Sequence, residues 1–372
     1  CFLLVCFLLV CFLLVCFLLV CFFLVRPLCI FLAVLFLFIY IYIYTNIMSK
    51  KFKQTTIGIL TVPLSKSKKK KADVVSSYIP DSYVKWIESS GARVVPIPFN
   101  WTEKKIRNAL DQVNGVLFPG GDVDRTKNDD FKEYIDTFKY IFNYAKRRKH
   151  FPLWATCLGF EFLVLMPNYT AKQIFEGYRD GTLIDTVRGR HQAVPLELTN
   201  KNKSFLASRK FFNRFTPADG KWFKNDAIYM NHGYGFIATE ERVKELEKYM
   251  HVLSTNTDLN HIEYVSTVEF KKHPFFGTQW HPEKVQFEWQ DDSIPHGDVA
   301  QFISKKVSQM FVDQAQKNPH VLKDDSLLIY HYNLHGRQAV LDVIDPRHAK
   351  DKKNHSVFEQ SYYFKRADGS SH

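Results

Sequence analysis

From residue 56 onward the chain alternates short apolar runs with amphipathic stretches, and this alternation restricts the fold more than any other feature. The run Ile57-Gly58-Ile59-Leu60-Thr61-Val62 reads as a buried strand stopped by Pro63. Residues 77–90 read as a helix with Tyr83, Val84 and Ile87 on one side and Gly91 closing it. Strands over 92–98 and 151–156, and a strand from Gly115 into the turn Pro119-Gly120-Gly121, interleave with helices over 102–112, 129–149 and 159–166. Strands of this kind, joined by crossover helices, build a largely parallel sheet covered on both faces. The expected class is α/β, a three-layer αβα sandwich of flavodoxin-like type. Further on, β patterns dominate at 193–198, 227–230, 252–255, 262–270 and 275–280, and helical character returns at 298–316. No linker divides residues 52–320, so these form one domain, and residues 321–372 read as a C-terminal extension packing on it.

Before that domain lies an apolar leader. Residues 1–20 are four tandem copies of Cys-Phe-Leu-Leu-Val, and a near copy follows at 21–25. A period of five suits neither helix nor strand, so residues 1–25 read as a low-complexity repeat, and a translated nucleotide repeat is one explanation. As one helix, the stretch to Tyr44 would run roughly 66 Å, about twice a ~30 Å hydrocarbon core. Arg26 followed by apolar residues to Tyr44 fits a signal peptide or signal anchor over 26–47. This predicts a secreted, vacuolar or lysosomal protein; translation from Met48, the first methionine, predicts a cytosolic one. Sequons at Asn100, Asn168, Asn202 and Asn354 accord weakly with the secretory route.

The formal charge of +12 admits a polyanionic partner. Outside Ser65-Lys66-Ser67-Lys68-Lys69-Lys70-Lys71 the lysines are scattered, and no helix-turn-helix, zinc-ligand or RNP-type signature is present, so nucleic acid is not expected. The lysine run reads as a solvated loop, or as an attractor of an acidic substrate.

Six of the seven cysteines fall in the leader, which leaves Cys157 without a disulfide partner or a Cys-based metal site in the folded part. An isolated cysteine is often buried and inert. Its flanks argue otherwise: a strand-like run ends at Thr156-Cys157-Leu158-Gly159, and a helix-like segment begins, the layout of a nucleophile elbow. A helix N-terminus at this point favours thiolate over thiol. Further on, Gln279-Trp280-His281-Pro282-Glu283-Lys284 supplies an imidazole and a carboxylate two residues apart. In an extended segment these face the same way, so His281 could serve as base and Glu283 as its orienting partner. The backbone N–H groups of Leu158 and Gly121 are candidate oxyanion donors.

These motifs, with Ser82-Tyr83-Val84, Asn114 to Gly121, Tyr264-Val265-Ser266-Thr267 and Glu288-Trp289 in the same order, resemble the γ-glutamyl hydrolases. That family belongs to the class I glutamine amidotransferase-like superfamily. The resemblance implies Cys-dependent cleavage of γ-linked glutamate from folate poly-γ-glutamates, a small-molecule substrate, without metal or organic cofactor. It implies Cys157 as nucleophile, His281 as base and Glu283 as its partner, with Tyr83, Glu161 and His232 in or lining the substrate pocket. A homodimer and an N-terminal membrane anchor are further expectations. Departures from the family pattern include the lysine run, Asp122 after the glycines and Ala155 in the elbow strand. Two rivals remain: a glutamine amidotransferase subunit, which usually carries Gln where Glu161 stands, and an inactive membrane-tethered binding protein.

Overall fold

The computed structural model describes residues 54–64, 75–123, 129–200, 206–336 and 358–366, with Val34, Leu35, Leu37 and Phe38 in helical conformation. The expectations for residues 1–25, for most of 26–47 and for the lysine run lie outside these. Residues 1–53 and 54–372 are separate compact units. No helix among the described residues is long and apolar enough to cross a membrane.

In chain order the second unit opens with β1 (Thr56–Leu60), β2 (Val62–Pro63), β3 (Val75–Pro80), α1 (Asp81–Glu88), β4 (Arg93–Ile97) and α2 (Glu103–Leu110). β5 (Gly115–Phe118), α3 (Asp129–Lys146), β6 (Leu153–Thr156), α4 (Leu158–Leu165) and α5 (Ala171–Asp180) follow. Next come β7 (Asp185–Val194), β8 (Glu197–Leu198), β9 (Ile228–Gly235), α6 (Glu240–Leu246), β10 (Met250–Thr257), β11 (Glu263–Phe270) and β12 (Phe275–Thr278). The last elements are α7 (Lys284–Phe287), α8 (Asp298–Gln316), β13 (Leu334–Gly336) and β14 (Gln360–Lys365).

The main sheet has eight strands in the order β4-β1-β5-β6-β12-β11-β10-β8. β4, β1, β5, β6 and β12 are mutually parallel, and β11, β10 and β8 continue the sheet antiparallel. The period of two divides its side chains between two cores. Val116, Phe118, Leu153 and Ala155 join Phe131, Phe138 and Phe162 from α3 and α4 on one face. Leu117, Trp154 and Phe276 join Trp86 and Ile87 from α1 and Val307 and Phe311 from α8 on the other. This is the three-layer α/β sandwich expected from the alternation.

Several boundaries differ from the sequence reading. Residues 75–80 are a strand, and the helix read over 77–90 starts only at Asp81. The strand read over 193–198 splits between β7 and β8. Small sheets account for these differences: β13-β14-β3-β2 and β7-β9 recruit segments whose partners are distant in sequence. Asn100, of one sequon, is buried, and its amide donates to Ser76 Oγ.

Candidate active site

Two parallel strands, β6 and β12, end side by side at Thr156 and Thr278. Chains leaving the carboxyl ends of neighbouring strands converge there, the usual place for a site in an open α/β sheet. Cys157 leaves β6 with φ 50° and ψ −110° and is the N-cap of α4. A non-glycine residue in that region costs about 1–3 kcal/mol and persists only when its neighbours fix it. Here they do: Cys157 N–H donates to Thr278 O and Glu161 N–H donates to Cys157 O, both at 2.9 Å. Gly159 permits the turn, because a Cβ there would stand 2.5 Å from Phe118 O.

β12 stops at Thr278, so His281 does not end a strand, and Glu283 has αR backbone angles. The pair meets through a turn rather than through β alternation: His281 Nδ1 lies 2.7 Å from Glu283 Oε1. His281 N–H donates to Tyr229 O at 2.9 Å, which ties this turn to β9. Also on β9, the Asn231 carbonyl lies 3.9 Å from Cys157 Sγ. A Cβ built on Gly120 would stand 2.9 Å from His281 Cε1, 3.0 Å from Cys157 Cβ and 2.8 Å from the Tyr83 hydroxyl. The cysteine β-carbon, the imidazole and the phenol hydroxyl therefore surround one point on the Gly-rich turn.

Cys157 keeps 6% of its surface exposed and Glu283 none. Burial pushes the Cys157 thiol up, with Glu161 and Glu283 adding to the effect and Lys284 and the Leu158 N–H opposing it. Burial also pulls His281 down, against the Glu283 carboxylate. Both effects favour the uncharged forms, thiol and neutral imidazole. Withdrawal of the sulfur from water thus opposes the preference for thiolate expected from the helix terminus.

The remaining candidates take distinct positions. The Tyr83 hydroxyl accepts the Gly120 N–H at 2.7 Å and feels the Glu283 charge, which with burial raises its pKa. The Leu158 N–H points at the Cys157 sulfur. The α-carbon of Gly121 faces Val62 and Tyr78 instead, so Gly120 is the glycine pressed against the cluster. Glu161 is buried, accepting the Tyr178 hydroxyl at 2.5 Å and Gln279 Nε2 at 3.1 Å. His232 is buried with Nδ1 2.8 Å from Tyr234 O, its ring edge-on to Tyr264, and desolvation pulls it down to about 4.

Sequence reasoning gave no role to the Asn231 carbonyl, Gly120 or Lys284, although Gly120 and Lys284 lie within quoted motifs. Nor did it find a second cluster beside the first: Asp291 accepts from the Tyr229 hydroxyl at 2.5 Å and meets His191 Nδ1. Burial alone would raise Asp291, but the bonds from His191, Tyr229 and Ser293 hold it at about 2. No sequence signal could have linked residues 191, 229 and 291, which topology alone unites. No group of three or more potential metal ligands occurs among the described residues.

Together the sheet and the cluster define an α/β protein with a cysteine elbow backed by a buried imidazole–carboxylate pair. The Peptidase C26 family model matches residues 55–195. Human γ-glutamyl hydrolase is 36% identical over 266 residues, covering 69% of this chain and 78% of the human one. γ-Glutamyl hydrolase B of Dictyostelium discoideum is 33% identical over 74% of this chain and 78% of its own. γ-Glutamyl hydrolase 1 of Arabidopsis thaliana is 34% identical over 70% of this chain and 72% of its own. The chain belongs to the γ-glutamyl hydrolase family. A glutamine amidotransferase of Thermotoga maritima, a solved structure, aligns with a TM-score of 0.40 at 11% identity over 71% of this chain and 99% of that one.

Proposed function

We propose that this protein is an enzyme that hydrolyses γ-glutamyl bonds, acting on folate poly-γ-glutamates through a thioester on Cys157. The observation that carries the mechanism is the 2.7 Å contact between His281 and buried Glu283 beside Cys157. With Nδ1 held by Glu283, Nε2 is the nitrogen left to take the thiol proton, and the sulfur attacks the γ-carbonyl carbon. Because the uncharged thiol and imidazole are favoured, proton transfer accompanies attack, and the imidazolium formed is offset by the carboxylate behind it. The Leu158 N–H, with that of Gly121 from the opposite turn, would hold the oxyanion. His281 then returns the proton to the departing amine as the C–N bond breaks. Water, deprotonated by the same nitrogen, attacks the thioester, and the sulfur leaves with its proton restored.

Cys157→Ala is expected to abolish release of glutamate from a folate pentaglutamate, read by mass spectrometry, while the substrate still binds in calorimetry. Undiminished glutamate release by that variant would refute the covalent route. Passage through the secretory pathway to a vacuole or the exterior, with residues 26–47 as signal or anchor, belongs to the same proposal. N-terminal sequencing of the mature protein tests it, and Met48 or Ser49 at the terminus overturns it.

A further inference from the structure

β7 and β9 form a two-stranded ribbon whose register slips twice, between Thr186 and Gly189 and again between Gly189 and Gln192. Bulges of this kind re-aim side chains and are common beside active sites. Here they flank the pair Gly189↔His232 and set Arg188 and Arg190 on either side of it. Both arginines line a pocket of about 470 Å³, together with Gly233, Tyr234 and Leu259. Gly233 makes room for one of them: a Cβ there would stand 3.0 Å from Arg190 Nη2 and 3.2 Å from Nε.

Among the described residues neither guanidinium forms an ion pair, although Arg188 lies near enough to Asp258 to attract its charge. Arg190 has no carboxylate partner among the described residues, and Arg188 reaches only the Asn260 amide oxygen, at 3.4 Å. The oxygens of Asp258 are turned to backbone, accepting the N–H groups of Arg188, Asn260 and Ile262. Two forked donors with no internal ion pair suit a carboxylate from outside. Strand β9 links the pocket to the sulfur. Gly233 follows, by two residues on extended β9, the carbonyl of Asn231 that touches Cys157 Sγ, a step of about 7 Å. One γ-linked glutamyl unit spans five bonds, roughly 6 Å when extended.

We propose that Arg188 and Arg190 form a subsite for the α-carboxylate of a glutamyl residue one unit from the scissile bond. This inference rests on the γ-glutamyl hydrolase reading and specifies how the chain would tell a poly-γ-glutamate tail from a single γ-glutamyl amide. The subsite binds charge and takes no part in bond breaking.

The test compares pteroylpentaglutamate, the same compound with its internal α-carboxyls converted to amides, and L-γ-glutamyl-4-nitroanilide. For Arg188→Gln and for Arg190→Gln, KM for the pentaglutamate should rise about tenfold with kcat within about twofold, the scale of one charge-assisted hydrogen bond. Arg190→Lys should recover part of the loss. Wild-type protein should lose affinity for the amidated pentaglutamate to the same extent, and the glutamine variants should lose little more on it. Wild-type cleavage of all three compounds, with glutamine variants that still favour carboxylate over amide as wild type does, overturns the subsite alone. Wild-type protein that cleaves none of the three overturns the hydrolase reading and the subsite with it.

Discussion

Gly120 and Gly121 adjoin in sequence yet face different neighbours, and substitution separates their duties. A methyl group on Gly120 would press on His281, Cys157 and the Tyr83 hydroxyl, all within 3.0 Å. Relieving such contacts shifts the reacting groups, and a misplacement of about 1 Å costs about a hundredfold in rate. Gly120→Ala should therefore lower kcat about a hundredfold with a small change in melting temperature. On Gly121 the methyl would meet Val62 Cγ1 at 2.7 Å, a packing clash away from the chemistry. Gly121→Ala should cost about 1–3 kcal/mol of stability and retain most of kcat, because the N–H offered to the oxyanion survives. Comparable kcat losses in the two variants would contradict this division. Glu283→Gln probes the next contact: it keeps a side chain of the same shape but removes the charge facing the imidazolium. Single-turnover kinetics should show a fall of at least about a hundredfold in kcat.

At the scale of elements, legibility followed the range of the contacts that make them. β1, β5, β6 and α8 appear where the periodicity put them, because each buries a face that its own residues define. Residues 77–80 look helical through their continuity with Tyr83 and Ile87, yet β14, almost three hundred residues on, draws them into the strand over 75–80. No local propensity records such a partner. The site was legible at its motifs for the same reason: Cys157 and His281 follow the buried strands β6 and β12, the second after a short turn. Their settings were not, since the turn joining His281 to Glu283 and the burial of Cys157 depend on packing from β9 and α4. Glu161 shows one such setting, since α4 holds α5 and the segment after β12 through Tyr178 and Gln279. Glu161→Ala removes the buried acceptor of both donors and should cost about 2–4 kcal/mol in urea unfolding. A loss below about 0.5 kcal/mol would show that the network does not tie these elements.

Across the whole molecule, one buried acid joins three distant parts of the chain. Glu288 Oε2 accepts the Glu359 N–H at 2.9 Å, which fastens the described C-terminal segment, and Ser82, Lys284 and Glu283 are further polar neighbours. Burial lifts this carboxyl to about 7 from an ordinary 4.5, against the pull of Lys284 and the hydrogen bonds. A folded-state pKa raised above the unfolded one means that the unfolded chain releases this proton first as pH rises. The stabilisation is then complete below about pH 4.5 and is lost as pH climbs through about 7. His232, drawn down to about 4, acts in the opposite sense, losing stability as pH falls from its ordinary 6.5. Wild-type stability alone therefore mixes the two groups, and the difference between wild type and Glu288→Gln isolates the carboxyl. That variant holds the same contacts without a proton to lose, so it should match wild type near pH 4.5 and gain on it steadily up to pH 7. There the advantage should reach the order of 2 kcal/mol in urea unfolding. Parallel pH profiles for the two proteins would show that Glu288 carries its charge in the folded state throughout, with Lys284 fully compensating it.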